Sequence, residues 1–159
     1  MGTPNKGTID KTKEIQTIKS KYGAKYFFNI EAHQDAASLW GVPCNDHGVV
    51  TETKDEVVAK AGGCEATIRF AETPEGHWLM GLGMRSAYSG YGYAPTVWSE
   101  TAFVSYAEAC RFAIGEFIGF FNEVANASDS CNSEQNKRNA RKIVEKLQSG
   151  QTTQLTLFG

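Results

Sequence analysis

One segment constrains this chain more than any other: Ser105 to Val124, which only a largely buried helix can accommodate. Ser105-Tyr106-Ala107-Glu108 is a capping box, in which the serine oxygen accepts an early helical N–H and Glu108 can reach back to the serine N–H. Behind it, Tyr106, Ala109, Ala113, Phe117, Phe120 and Val124 recur at helical spacing. Phe112, Ile114, Ile118 and Phe121 widen that stripe well beyond what a surface helix carries. Much of this helix must therefore be covered, and the natural cover is one face of a sheet.

The sheet is legible in part. Cys64 to Ala71 alternates as a strand, with Ala66, Ile68 and Phe70 on one side. Thr73-Pro74-Glu75-Gly76 is a turn, because proline presets φ and glycine permits φ > 0. His77 to Met84 is the return strand, where Gly81 and Gly83 mark a bulge or a close backbone approach. Ser86 to Gly92 reads as a Gly/Ser/Tyr loop, and Tyr93 to Trp98 as a further strand that Pro95 places at an edge. Lys25 to Ala32 also alternates, with Tyr26, Phe28 and Ile30 on one face, and is expected to be a strand.

Between these, Asp35–Trp40 predicts a short helix and the polar run Thr51 to Glu56 predicts irregular structure. Residues 1–10 read as a loose lead-in, and Asp10 to Tyr22 as a polar helix or basic arm with Gly23 as its stop. Asn126 to Asn132 breaks the long helix. Ser133 caps a second, basic helix running to about Gln148, ended by Ser149-Gly150. The expected class is thus α+β: an antiparallel sheet of three to four strands, packed on one face by a long apolar helix, with a basic C-terminal helix and a free tail. The expected organisation is a polar arm or helix over 1–24, one domain over 25–148 and a flexible tail over 149–159.

With 159 residues, 41% hydrophobic and 21% charged, the chain is long enough for a core without staples. A net charge of −2 and a pI near 5.9 argue against a surface that binds duplex DNA as a whole, so any nucleic-acid contact must be a local patch. Cys44, Cys64, Cys110 and Cys131 have no framework spacing, Met1 to Ile9 carries no apolar signal core, and no run approaches a membrane span. A cytoplasmic protein with reduced thiols and no membrane contact is expected.

The tail offers the sharpest functional signal. Leu157 and Phe158 are adjacent large apolar side chains on a short segment, with Leu155 one step earlier and an amide at Gln154 able to fix register by donating and accepting hydrogen bonds. Gln154-Leu155-Thr156-Leu157-Phe158 resembles the pentapeptide by which bacterial polymerases, mismatch-repair proteins and initiator regulators dock on the DNA sliding clamp. That pattern is Gln-Leu, a small polar residue (commonly Ser or Asp), then Leu-Phe, so Thr156 is the one mild departure. The resemblance implies a bacterial sliding clamp as partner, with these five residues as its contact. The alternative for the same residues is a closing β-strand at the sheet edge, since Thr152, Thr153, Leu155 and Leu157 alternate.

The body offers weaker candidates. Cys44-x-x-His47 with Cys64, completed by His33, Asp46 or His77, has zinc-ligand chemistry but the spacing of no zinc module, and ordinary thiols and histidines are expected, with no metal and no cofactor. His33-x-Asp35 next to Glu31 suits acid–base work, yet no nucleophile or partner can be assigned from the sequence. Arg85, Tyr88 and Tyr91 in the Gly/Tyr segment could stack on single-stranded bases, form a protein-binding surface or pack on the sheet. Lys137, Arg138, Arg141 and Lys142 could meet DNA phosphates or form a solvated face with Glu134 and Glu145.

These readings lead to one expectation: a bacterial, phage or mobile-element accessory protein tethered to DNA replication or repair through its tail, as a non-catalytic adaptor or clamp competitor. The alternatives are a single-stranded nucleic-acid-binding module with a structural tail, and a small enzyme using the His33/Asp35 region.

Overall fold

The computed structural model describes residues 7–129 and 131–158, without the side chains of 151–158. The elements, in chain order, are β1 (Thr8–Asp10), α1 (Thr12–Tyr22), a 3-10 turn (Tyr26–Phe28), α2 (Ile30–Trp40), β2 (Lys54–Ala61), β3 (Cys64–Glu72), β4 (Trp78–Arg85), β5 (Gly90–Tyr93), β6 (Thr101–Phe103), α3 (Tyr106–Asn126) and α4 (Glu134–Phe158). The class is α+β. Among the described residues the strands form one antiparallel six-stranded sheet in the order β1-β6-β4-β3-β2, with β5 also on β4.

The expected hairpin is β3–β4. Its turn closes through Gly76 N–H to the Thr73 carbonyl, His77 N–H to Thr73 Oγ1 and Thr73 N–H to the His77 carbonyl, with Gly76 at φ 81°. Both helix caps read from the sequence are present: Ser105 Oγ accepts from Glu108 N–H and Ser133 Oγ from Asn136 N–H, each at 3.1 Å.

Several expectations are corrected. Lys25 to Ala32 is no strand. Asn29 caps α2 by accepting from Ala32 N–H at 3.1 Å, and that local bond diverts the backbone into a helix. The helix expected at Asp35–Trp40 is the second half of α2. Its buried face is Ala32, His33, Ala36, Ala37 and Trp40, and Gly41 closes it at φ 75°.

The lead-in holds β1, which pairs with β6 through Thr8↔Phe103, Ile9↔Ala102 and Asp10↔Thr101. The polar run after Thr51 enters β2, an edge strand whose only buried residue is Ala59, so it carries no apolar alternation to read. Gly90–Tyr93 is a strand rather than loop. Gly92 lies opposite Gly83, and a Cβ on Gly92 would come within 3.2 Å of the Leu82 carbonyl oxygen. The expected strand over Tyr93–Trp98 leaves the sheet after Tyr93 and instead bonds to residues 48–50, through Val50 N–H to the Pro95 carbonyl and Val97 N–H to the Gly48 carbonyl.

α4 does not stop at Ser149-Gly150. Gly150 keeps helical backbone instead of the left-handed turn that ends a helix, and the backbone stays helical to Phe158, outside every strand of the sheet. The tail's alternation is therefore not realised as a closing strand.

The described chain groups into two compact units, with β3 and β4 contributing residues to both. The first unit holds residues 7–54, 69–81 and 94–109. Its core gathers Ile15 of α1, Ala36 and Trp40 of α2, Leu79, Val97, Trp98 and Ala102. The second holds residues 55–68, 82–93 and 110–159. There Cys64, Ala66, Ile68, Leu82, Met84, Phe117, Phe121, Ala140, Ile143 and Leu147 are buried. Asn136, also buried, ties α4 to this unit: its Oδ1 accepts from Ala87 N–H at 3.1 Å and its Nδ2 donates to Asn132 Oδ1 at 2.7 Å.

Candidate functional site

His33 and Asp35 lie two residues apart on α2, about 200° apart around a helix, so their side chains diverge. His33 does not follow a strand, as the sequence suggested, but lies in the first turns of α2. It is fully buried. Its Nδ1 accepts from Trp98 Nε1 at 2.8 Å, which places the imidazole proton on Nε2, and Nε2 finds no partner among the described residues. Trp98 and Phe27 stand edge-on to the ring at 5.7 and 5.9 Å. The geometry is that of a core histidine shut away from solvent, with no carboxylate bonded to its ring among the described residues.

Asp35 turns toward α1 instead, where its carboxylate accepts from the Tyr22 hydroxyl at 2.7 Å and from Lys21 Nζ at 3.1 Å. These two bonds, Tyr22 first, hold its pKa below the ordinary value of 3.8. The same contact raises Tyr22 and Lys21 above their ordinary values. A carboxyl depressed on folding contributes stability that is present above its unfolded pKa and is lost as pH falls through the lower folded value. Asp35→Asn is therefore expected to lower the urea midpoint at about pH 7, with the gap to wild type closing below about pH 4. A gap of equal size at both pH values would reject the ionised bond between α1 and α2.

The zinc-type candidates do not converge. Cys44 Sγ lies 3.7 Å from the His33 carbonyl oxygen and 3.9 Å from Gln34 Nε2, and burial, then Asp46, push its thiol pKa up. Cys64 Sγ faces Asn136 Oδ1 at 3.6 Å, and burial raises it too. His77 sits 3.7 Å from Glu75 within the hairpin turn. Among the described residues, no three His, Cys, Asp or Glu side chains are placed to hold a metal ion.

The candidate nucleic-acid residues fall on β4, the β4–β5 loop, β5 and α4, all in the second unit. Arg85 ends β4 and is held by Glu65 at 3.4 Å, both lining a shallow groove of about 360 Å³ with Met84 and Tyr91. Tyr88 and Tyr91 are 62% and 61% exposed, so the packing alternative does not describe them. Tyr91 stands edge-on to Tyr93 at 5.9 Å, and burial, then Glu116, raise the Tyr93 phenol. On α4, Lys137 pairs with Glu134 at 3.3 Å, Arg138 bonds Gln135 at 3.0 Å and Arg141 bonds the Ala125 carbonyl at 3.4 Å. Lys142 is exposed.

Two surfaces escaped the sequence reading. One is Phe27, Phe28 and Ile30 at the entry to α2, of which Phe28 is 85% exposed. The other is a groove of about 500 Å³ where the β4–β5 loop meets the end of α3, lined by Tyr88, Phe120, Glu123, Val124, Asp129 and Cys131 among others. A signal for the second was present. The apolar stripe of α3 is wider than one covered face, so some of its aromatic residues had to reach the surface.

The chain was compared with protein-family models, with curated proteins and with solved structures, and it matches none of them.

Proposed function

We propose that this chain is an accessory protein of bacterial, phage or mobile-element origin, tethered to DNA replication or repair by the sliding clamp. Gln154, Leu155, Thr156, Leu157 and Phe158 form the contact, and the protein acts as a non-catalytic adaptor or as a competitor for the clamp pocket. The observation that carries this reading is the pentapeptide itself. Leu147 is the most C-terminal buried residue among the described ones, and Gln148, Ser149 and Gly150 are exposed.

Docking in extended form requires the end of α4 to unwind. Its sequence makes that inexpensive: glycine costs about 1 kcal/mol against alanine in a helix and each threonine up to about 0.7 kcal/mol, and this stretch contains Gly150, Thr152, Thr153 and Thr156. Against this, burying Leu157 and Phe158 in a pocket returns roughly 1.5–3 kcal/mol each.

Tethering raises the effective concentration of the rest of the chain near DNA to the millimolar range, so weak DNA contacts suffice. The basic residues Lys137, Arg138, Arg141 and Lys142 of α4 would make them, since exposed side-chain pairs such as Lys137–Glu134 cost little to exchange for phosphates. The rival, bases stacked on Tyr88 and Tyr91, has Arg85 as its lining cation, whose pair with Glu65 at 3.4 Å is as readily exchanged.

Titration of purified clamp with the wild-type chain and with Leu157→Ala/Phe158→Ala tests the proposal. Loss of both anchors is expected to weaken binding by at least about 100-fold. Equal binding by both chains, or by neither, rejects it.

A further inference from the structure

We propose that the groove between the β4–β5 loop and the end of α3 receives an arginine side chain of a partner protein. Its volume, about 500 Å³, is in the range of side-chain and small-ligand sites. The walls have two chemistries. Tyr88 and Phe120 supply aromatic rings, and Val124 and Ala127 supply aliphatic surface. Glu123 and Asp129 supply carboxylates, both exposed.

No lysine or arginine lines the groove among the described residues. Asp129 spends one oxygen on Cys131 N–H at 3.0 Å, and Glu123 has no side-chain bond among the described residues. The cation at this end of α3, Arg141, is turned to the Ala125 carbonyl at 3.4 Å. Asn132 Nδ2 takes the neighbouring Val124 and Ala127 carbonyls at 2.7 and 3.2 Å. The helix end is thus already capped, and the Glu123 carboxylate and the second oxygen of Asp129 remain as acceptors without a partner among the described residues.

Aromatic faces beside uncommitted carboxylates select a cation that is also flat. A guanidinium stacks on a ring through its face and donates to carboxylates through its edge, and its aliphatic stem covers apolar wall. An ammonium satisfies the charge but has no face to stack. Phosphates and nucleotides are repelled by the same two carboxylates, so this groove is distinct in chemistry from the basic face of α4. The inference does not depend on the tail.

The test is an NMR titration of the full ¹⁵N-labelled chain with three blocked tripeptides, Gly-Arg-Gly, Gly-Lys-Gly and the neutral citrulline isostere of the first. The arginine peptide is expected to bind in the millimolar range, as one side chain without its partner should, and to shift amides of Tyr88, Ser89 and residues 122–132. Its affinity should exceed that of the citrulline peptide at least tenfold and that of the lysine peptide by several-fold. Glu123→Gln/Asp129→Asn should remove that preference in a chain whose remaining spectrum is unchanged, and Leu157→Ala/Phe158→Ala should leave it intact.

Cys131 provides a second readout, because it is the exposed thiol in the groove while Cys64 and Cys110 are buried and Cys44 is half-buried. The arginine peptide should slow its alkylation, and the citrulline peptide should not. Equal binding of arginine and citrulline peptides, shifts outside the groove only, or a lysine peptide that binds as tightly as arginine would each overturn the assignment.

Discussion

Phe117→Ala is expected to cost about 3–5 kcal/mol, the usual penalty for emptying a buried phenylalanine site. Phe117 has no exposed surface and lies in the middle of α3, between the buried Ala113 and Phe121 on the same face. Truncation removes its transfer free energy and leaves a cavity that neighbouring side chains, fixed on a helix, cannot close. The measurement is a urea titration followed by the helical signal at 222 nm. Phe112→Ala on the same helix is the control: this ring is 44% exposed, so its loss should cost less than about 1.5 kcal/mol. Similar losses at the two positions would mean that α3 is not buried on the face described.

The second large effect is expected at Gly48. Its φ of 77° lies in the left-handed region, and an added Cβ would stand 2.8 Å from His33 Nδ1 and 3.0 Å from Trp98 Nε1. Gly48→Ala therefore meets two penalties: about 1–2 kcal/mol for the left-handed backbone and about 1–3 kcal/mol for overpacking between His33 and Trp98. Gly76 separates the two, because its φ is 81° and nothing lies within 4 Å of its added Cβ. Gly76→Ala should show the backbone penalty alone. Tryptophan fluorescence reports the outcome, since Trp98 donates its indole N–H to His33 and would lose that bond. Equal destabilisation by the two substitutions would show that the contact of Gly48 with the His33–Trp98 pair carries no energy.

The contrast between these glycines marks how far sequence reading reaches. Gly76 was legible as a turn residue, because proline and glycine within Thr73–Gly76 are a local signal. Gly48 was not, because its constraint comes from His33 and Trp98, which are 65 residues apart and meet only in the fold. The same division separates α2 from the strand expected in its place. Tyr26, Phe28 and Ile30 alternate convincingly, but Phe28 and Ile30 are 85% and 53% exposed, so no buried face was there for alternation to report. The single bond from Ala32 N–H to Asn29 decided the matter.

Candidate chemistry followed the same rule. His33 and Asp35 were close in sequence and were read as a pair. The helix points one into the core and the other at Tyr22. The groove at the end of α3 left only an over-wide apolar stripe as its trace in the sequence, since Tyr88 and the residues Phe120, Glu123 and Asp129 come from separate stretches of chain.

By itself, then, the sequence determined what is settled within a few residues. That covers the Thr73–Gly76 turn with its two flanking strands, the serine caps of α3 and α4, the α+β class and the linear pattern of Gln154 to Phe158. Each rests on hydrogen bonds or side-chain spacing inside one local segment. Only the tertiary structure decided where β1, β2 and β6 pair, which way His33 faces and which side chains gather into a groove. Those outcomes depend on contacts between residues far apart in the chain, and no local window of the sequence contains both partners.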